Sequence, residues 1–165
     1  FIERRSALLE KRARAGAIVD GHGDLRPEHI WLGDSLRIID CLEFNAGLRI
    51  VDPLDEVAYL SVECDRLGAD WVGKLVHDRV MGALHDGVTE DLFAFYRCYR
   101  ATLRARLTSA HLLEANPRTP EKWPETSASP GARLAKMAIC DACTPLQSRL
   151  GERHVHHRVR SRRHP

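Results

Sequence analysis

Three apolar runs too short to be helices occupy the first forty residues, each followed by a turn rich in glycine or aspartate, and they constrain the fold more than any other feature. Ala17-Ile18-Val19 leads into Asp20-Gly21-His22-Gly23-Asp24, Ile30-Trp31-Leu32 into Gly33-Asp34-Ser35, and Leu36 to Ile39 into Asp40. Short apolar runs bounded in this way read as strands. The last two, joined by the Gly-Asp-Ser turn, read as a hairpin, with Asp24 ahead of its first strand and Asp40 at the end of its second. Strands this short cannot build a sheet-based core, so the burial has to come from helices.

The rest of the pattern supplies them. Residues 2–15 read as a helix stopped at Gly16. Pro53 suits the first turn of a helix running to about Leu67, in which Val57, Leu60, Cys64 and Leu67 recur at spacings of three or four. Residues 69–85 read as a further helix, ended by Asp86-Gly87. Residues 90–114 read as the clearest one, with Leu92, Phe95, Tyr96, Tyr99, Leu103 and Leu107 on one face and Arg97, Arg100, Arg104 and Arg106 around it. Residues 116–131 hold four prolines and read as loop. Residues 132–150 look helical, with a break at Pro145. Trp31, Phe93, Phe95, Tyr96 and Tyr99, together with Cys41, Cys64 and Cys98, are expected in the core. The fold class is α+β, mainly α.

Composition bounds the function. With 165 residues, 44% of them hydrophobic, the chain is of globular type and one domain in length. No apolar run approaches the ~18 residues of a membrane span. The opening Phe1-Ile2-Glu3-Arg4-Arg5 is not a secretion signal. Five scattered cysteines fit reduced thiols in a cytoplasmic protein better than a disulfide framework. The net charge of +2 hides five arginines against one glutamate in residues 151–165, a tail expected to be disordered. That tail has neither an aromatic residue nor a fold signature, so nucleic acid is an unlikely partner and a membrane is none. Gly68 to Leu75 nearly spells a phosphate-binding loop, but it ends in Leu75 where a hydroxyl is needed and reads as a helix start. Cys140-Asp-Ala-Cys143 stands alone and is a weak motif.

The chemistry concentrates in His22-Gly23-Asp24-Leu25-Arg26-Pro27-Glu28-His29 and in Ile38-Ile39-Asp40. A carboxylate in a glycine-flanked loop is accessible and can take a proton from a hydroxyl. A second carboxylate, at the end of an apolar strand, is rigidly held. Mg²⁺ takes one or two carboxylates plus substrate phosphates. A base beside a metal carboxylate is the layout of phosphoryl transfer to an alcohol.

His22-Gly23-Asp24-Leu25 followed by Ile39-Asp40 resembles the catalytic and metal motifs of the aminoglycoside phosphotransferase family, which is kinase-like in fold. The stretch Asp40-Cys41-Leu42-Glu43-Phe44-Asn45, with Leu48-Arg49 and Asp52-Pro53-Leu54-Asp55-Glu56-Val57-Ala58, is similar to a bacterial branch of uncharacterised phosphotransferase-like proteins, some fused to a nucleoside-triphosphatase domain. The likeness covers about residues 16–68, weakens over 92–114 and is absent from the tail.

The resemblance implies a kinase-like C-terminal lobe over residues 1–150, with the small hairpin at its catalytic loop, followed by the tail 151–165. Asp24 would be the catalytic base and His22 would orient the loop. Asp40 would bind the metal that bridges the phosphates of ATP. Asp55 would match the buried helix aspartate that hydrogen-bonds the loop backbone. Two positions depart from the family. His29 stands where a second metal ligand, asparagine, is usual; it suits softer cations, so Mn²⁺ could replace Mg²⁺, or Glu28 could serve instead. Arg26 stands where histidine is common and could pair with a phosphate or a substrate carboxylate.

The implied reaction is transfer of the γ-phosphate of ATP to a hydroxyl of a small molecule. Glu43, Asp52, Glu56 and Glu63 hint at a cationic acceptor. An N-terminal lobe with a strand lysine, which a kinase-like enzyme needs to grip ATP, is expected to be missing, so the chain reads as a fragment that is inactive alone. The alternative is a truncated or degenerate lobe that acts as a binding module.

Overall fold

The computed structural model describes residues 1–84 and 90–112. The chain divides into two compact units, one ending at Val88 and one beginning at Thr89. The loop expected over 116–131, the helix expected over 132–150, Cys140 and Cys143, and the tail lie outside the described residues.

The first unit begins with α1 (Ile2–Arg14). Four short strands follow: β1 (Val19–Asp20), β2 (Ile30–Leu32), β3 (Leu36–Ile38) and β4 (Ile50–Val51). Two helices close it, α2 (Pro53–Arg66) and α3 (Asp70–Leu84). β2 and β3 form the expected antiparallel hairpin, with Trp31 opposite Arg37. β1 pairs antiparallel with β4, Val19 opposite Val51, so the pair brackets residues 21–49, the hairpin included. β4 is too short to have left a periodic signal. Arg49 strengthens this second pair by forking onto Asp20 at 2.9 and 3.2 Å, and the contact raises the Arg49 pKa.

The core of this unit is α2. Leu54, Val57, Ala58, Tyr59, Leu60, Val62 and Cys64 are all buried. Burial pushes the Cys64 thiol pKa up, and the neighbouring Asp65 and Glu63 add to the shift. The start of α2 follows from local chemistry. Asp52 caps it by accepting from the Leu54 N–H at 3.0 Å, and Pro53 takes the first helical position, where its missing N–H leaves no bond unmade. α3 packs closely on α2 at Gly73, where an added Cβ would lie 2.4 Å from Ser61 Oγ.

Arg12 of α1 reaches Asp52 across forty residues. Its Nε and Nη2 sit 2.6 and 3.0 Å from the two carboxylate oxygens. Both side chains are buried, so α1 is tied to the first turn of α2 by a two-pronged ion pair.

Two expectations about burial and one about the thiols are corrected. Trp31 is 64% exposed rather than core, and Leu32, Leu36 and Ile38 are exposed with it. Two three-residue strands offer little surface to bury, and the hairpin meets α2 through the turn Pro27–His29 that precedes it, so burial falls on His29 rather than on the strands. Cys41 is half-buried and free, while Cys98 is disulfide-bonded, so the thiols are not all reduced.

The second unit is described over α4 (Glu90–Leu112). Its burial lies at Asp91, Leu92, Phe93 and Ala94 and again at Arg100 and Ala101; of the expected apolar face, Leu92 is fully buried and Phe95, Tyr96 and Leu103 are half-buried. Tyr99 and Leu107, expected on the apolar face, are about half exposed. Phe95 stacks near Tyr96 and Tyr99, and the Arg100 guanidinium lies 6.0 Å from the Tyr99 ring centre. The architecture is mainly helical α+β with a small antiparallel hairpin. Among the described residues, no helix is long and apolar enough to cross a membrane.

Candidate functional site

The site is built from two loops, residues 21–29 and 39–42, held together by two histidines. His22 Nε2 donates to the Ile39 carbonyl at 2.7 Å, and the Leu42 N–H returns a bond to the His22 carbonyl at 3.1 Å. The Ile39 N–H donates to the His29 carbonyl at 2.9 Å. The two imidazoles stack with centroids 5.5 Å apart. Asp40 is thus braced on both sides, at Ile39 and at Leu42, by the loop that carries Asp24.

Each ring's protonation follows from its partners. A carbonyl only accepts, so His22 carries its proton on Nε2, and its Nδ1 accepts from the Asp24 N–H at 3.3 Å. His29 Nδ1 lies 2.8 Å from the Asp24 carbonyl and must donate there, which leaves a lone pair on Nε2.

The loop itself is clamped from α2. Glu56 Oε1 accepts from the Gly23 N–H. Gly23 has a positive φ of 83°, and a Cβ there would meet Leu42 Cδ1 at 2.9 Å and the Leu48 carbonyl at 3.0 Å. Glycine is therefore required at the centre of His-Gly-Asp, both by conformation and by space. The carboxylate that takes the Gly23 N–H is that of Glu56, the residue after Asp55. Asp55 is itself buried in the same helical turn.

The functional side chains form one chain of contacts. Asp24 Oδ2 lies 3.1 Å from Arg26 Nε. Arg26 Nη1 lies 2.8 Å from Glu28 Oε1, and Arg26 Nη2 lies 3.0 Å from His29 Nε2. His29 Nε2 in turn lies 3.3 Å from Asp40 Oδ2. Asp24, Arg26, His29 and Asp40, singled out from the sequence, are therefore brought together. Their exposures differ in a useful way. His29 is buried, Asp24 is about a quarter exposed, and the Asp40 side chain is 77% exposed. Asp40 also holds a φ of +62°, the one positive φ among the described non-glycine residues. Such a conformation costs roughly 1–3 kcal/mol and tends to mark sites where geometry serves function.

Among the described residues, no three His, Cys, Asp or Glu side chains converge as a metal cage. Two do approach. The 3.3 Å between His29 Nε2 and Asp40 Oδ2 is close to the ~3 Å that separates neighbouring donors on an octahedral cation with bonds near 2.1 Å. A nitrogen–oxygen pair of this kind fits Mn²⁺ better than Mg²⁺.

The acids that hinted at a cationic acceptor are mostly used internally. Asp52 is paired with Arg12, Glu56 holds Gly23, and Glu63, fully buried, takes Arg66 at 3.0 Å. Only Glu43 of that set is exposed. The Arg12–Asp52 pair and the role of Glu56 were missed by sequence reasoning. The Asp-Pro capping signal at residues 52 and 53 could have shown that Asp52 was committed to α2.

No family model matches the chain, and no solved structure matches it. The chain is similar to the uncharacterized protein Mb2027c of Mycobacterium bovis and to the uncharacterized proteins MT2060 and Rv2004c of two Mycobacterium tuberculosis strains. Each is 33% identical over 118 residues, which is 71% of this chain and 24% of the relative. The chain thus spans about a quarter of the length of these relatives.

Proposed function

We propose that this chain is the C-terminal, base-bearing part of an ATP-dependent phosphotransferase that acts on a hydroxyl of a small molecule, of the aminoglycoside phosphotransferase type. The observation that carries this reading is the unbroken series of contacts from Asp24 through Arg26 and His29 to Asp40. It joins an accessible loop carboxylate to a braced, exposed one, which is the pairing that phosphoryl transfer to an alcohol needs.

In this reading Asp24 accepts the proton of the attacking hydroxyl. Gly23, fixed by Glu56, sets where that carboxylate stands. His22 keeps the two loops in register through its bond to Ile39. Asp40 and His29 are the residues that would hold a divalent cation, Mg²⁺ or Mn²⁺. When bound, that cation would neutralise phosphate charge.

The test is equilibrium binding of ATP in the presence of Mn²⁺ to the full chain and to its variants. Asp40→Ala is expected to weaken binding by at least roughly tenfold, since it removes a direct metal ligand. Asp24→Asn is expected to bind normally and to lose phosphoryl transfer in any preparation that has it. Unchanged nucleotide binding in Asp40→Ala would refute the assignment. A second reading, a binding module without turnover, is favoured by one observation: Arg26 holds both the base and His29. It predicts nucleotide binding with no transfer to any hydroxyl acceptor.

A further inference from the structure

The lone pair on His29 Nε2 has two claimants. Nδ1 is committed as a donor to the Asp24 carbonyl at 2.8 Å, so Nε2 is the only ring nitrogen open to a cation. Arg26 Nη2 already points at it from 3.0 Å, while Asp40 Oδ2, the other proposed ligand, stands 3.3 Å from the same atom. One lone pair serves either a guanidinium N–H or a metal, not both.

Arg26 is firmly placed. Its side chain is 20% exposed, and its guanidinium meets three separate residues: Asp24, Glu28 and His29. Its positive charge sits where a divalent cation would have to approach, and like charges at that range repel even with partial screening. We propose that Arg26 is a resident cation that competes with the divalent metal for His29 Nε2. In the metal-free protein it caps that nitrogen and pairs with the Asp24 carboxylate. For the metal to be held between His29 and Asp40, the guanidinium must leave His29. Arg26 therefore sets the metal affinity of the site and links metal entry to the surroundings of Asp24. The inference rests on the metal pair of the proposed function.

The test needs no turnover. Mn²⁺ alone is titrated into the full chain, and free Mn²⁺ is followed by electron paramagnetic resonance. The proteins compared are the wild type, Arg26→Gln, Arg26→Lys and Asp40→Ala. Arg26→Gln is expected to bind Mn²⁺ roughly tenfold more tightly than the wild type, the usual size of an effect from a residue that contacts a metal ligand. Arg26→Lys keeps the charge but not the fork, and it should tighten binding by a smaller factor. Asp40→Ala should bind weakly whatever residue stands at 26. If the wild type binds, Asp40→Ala does not, and neither Arg26 variant is tighter, the competition is refuted while the metal pair stands. If no protein binds Mn²⁺, both fail. Circular dichroism checks folding, and if Arg26→Gln does not fold, Arg26→Lys decides the question.

Discussion

Replacing Arg12 with methionine should destabilise the protein by about 3 kcal/mol, through one buried carboxylate. Arg12 is 7% exposed and Asp52 3%, and they meet through two short contacts of 2.6 and 3.0 Å. Methionine fills much of the arginine volume, so little cavity forms, but the Asp52 charge stays buried without its counter-ion. Breaking one side of such a pair costs about 3–5 kcal/mol. The lower end applies here because Asp52 retains the Leu54 N–H at 3.0 Å. Asp52→Asn keeps an acceptor for that cap and strands Arg12 instead, at a similar cost. Asp52→Ala loses the cap as well, which adds about 1 kcal/mol. The double variant Arg12→Met, Asp52→Asn buries no lone charge, so it should be no worse than either single one. The implied coupling is about 2–3 kcal/mol, within the usual range for residues in direct contact. Urea unfolding followed at 222 nm measures the wild type and the four variants. For a chain of 165 residues, a loss of 3 kcal/mol lowers the melting temperature by about 6–12 °C. The reasoning fails if Arg12→Met lies within about 0.5 kcal/mol of the wild type, or if the two single losses simply add.

Two further outcomes follow from packing and from titration. Gly73→Ala should cost about 1–3 kcal/mol, because its Cβ would stand 2.4 Å from Ser61 Oγ and 2.8 Å from Ser61 Cα, forcing α3 off α2; Ser61→Gly in the same chain should recover part of that loss in a urea melt, and no recovery would locate the strain elsewhere. Burial raises the Cys64 thiol above its ordinary value of 9.0, so the folded chain keeps a proton that the unfolded chain gives up. Its contribution is complete below the unfolded value and is lost as pH rises through the folded one, so stability should fall as pH rises above about 9. Cys64→Ala should make that fall shallower, and an unchanged slope would rule out Cys64 as its source.

Legibility in the sequence followed the range of the forces involved. The start of α2 could be read because Asp52 and Pro53 carry a local rule, a cap followed by a residue that lacks only a spare N–H. The β2–β3 hairpin could be read because its turn lies between its strands. β4 could not, since two residues acquire a partner only when β1 arrives from thirty positions away. The Arg12–Asp52 pair was hidden for the same reason. Trp31 was read as buried, yet it faces solvent together with Leu32, because hydrophobicity alone does not say which element arrives to cover a strand. In the site, Asp24, Arg26, His29 and Asp40 were all named in advance. The bond from the Gly23 N–H to Glu56 was not, because it depends on the rotation of α2 against the loop. The Arg100 side chain, read only as one of the arginines around the apolar face of α4, is buried.

The treatment of acidic residues explains the design of the site. Asp52, Glu56 and Glu63 are buried and committed, and the first two lie one turn apart at the N-terminal end of α2, where the helix dipole favours negative charge. Their work is mechanical: Asp52 anchors α1, and Glu56 anchors Gly23. Asp40 is handled in the opposite way. In the proposed role Asp40 would meet a cation and phosphates, and a carboxylate in that role must stay solvated and ionised, so it cannot be positioned by packing its side chain. Its 77% exposure leaves only the backbone to aim it. The positive φ at Asp40 and the bonds at Ile39 and Leu42 do that aiming, and those bonds run to His22 and His29. The two histidines therefore act first as braces for the main chain around Asp40. His29 adds a nitrogen to the site only because its other nitrogen is already used in holding the Asp24 carbonyl.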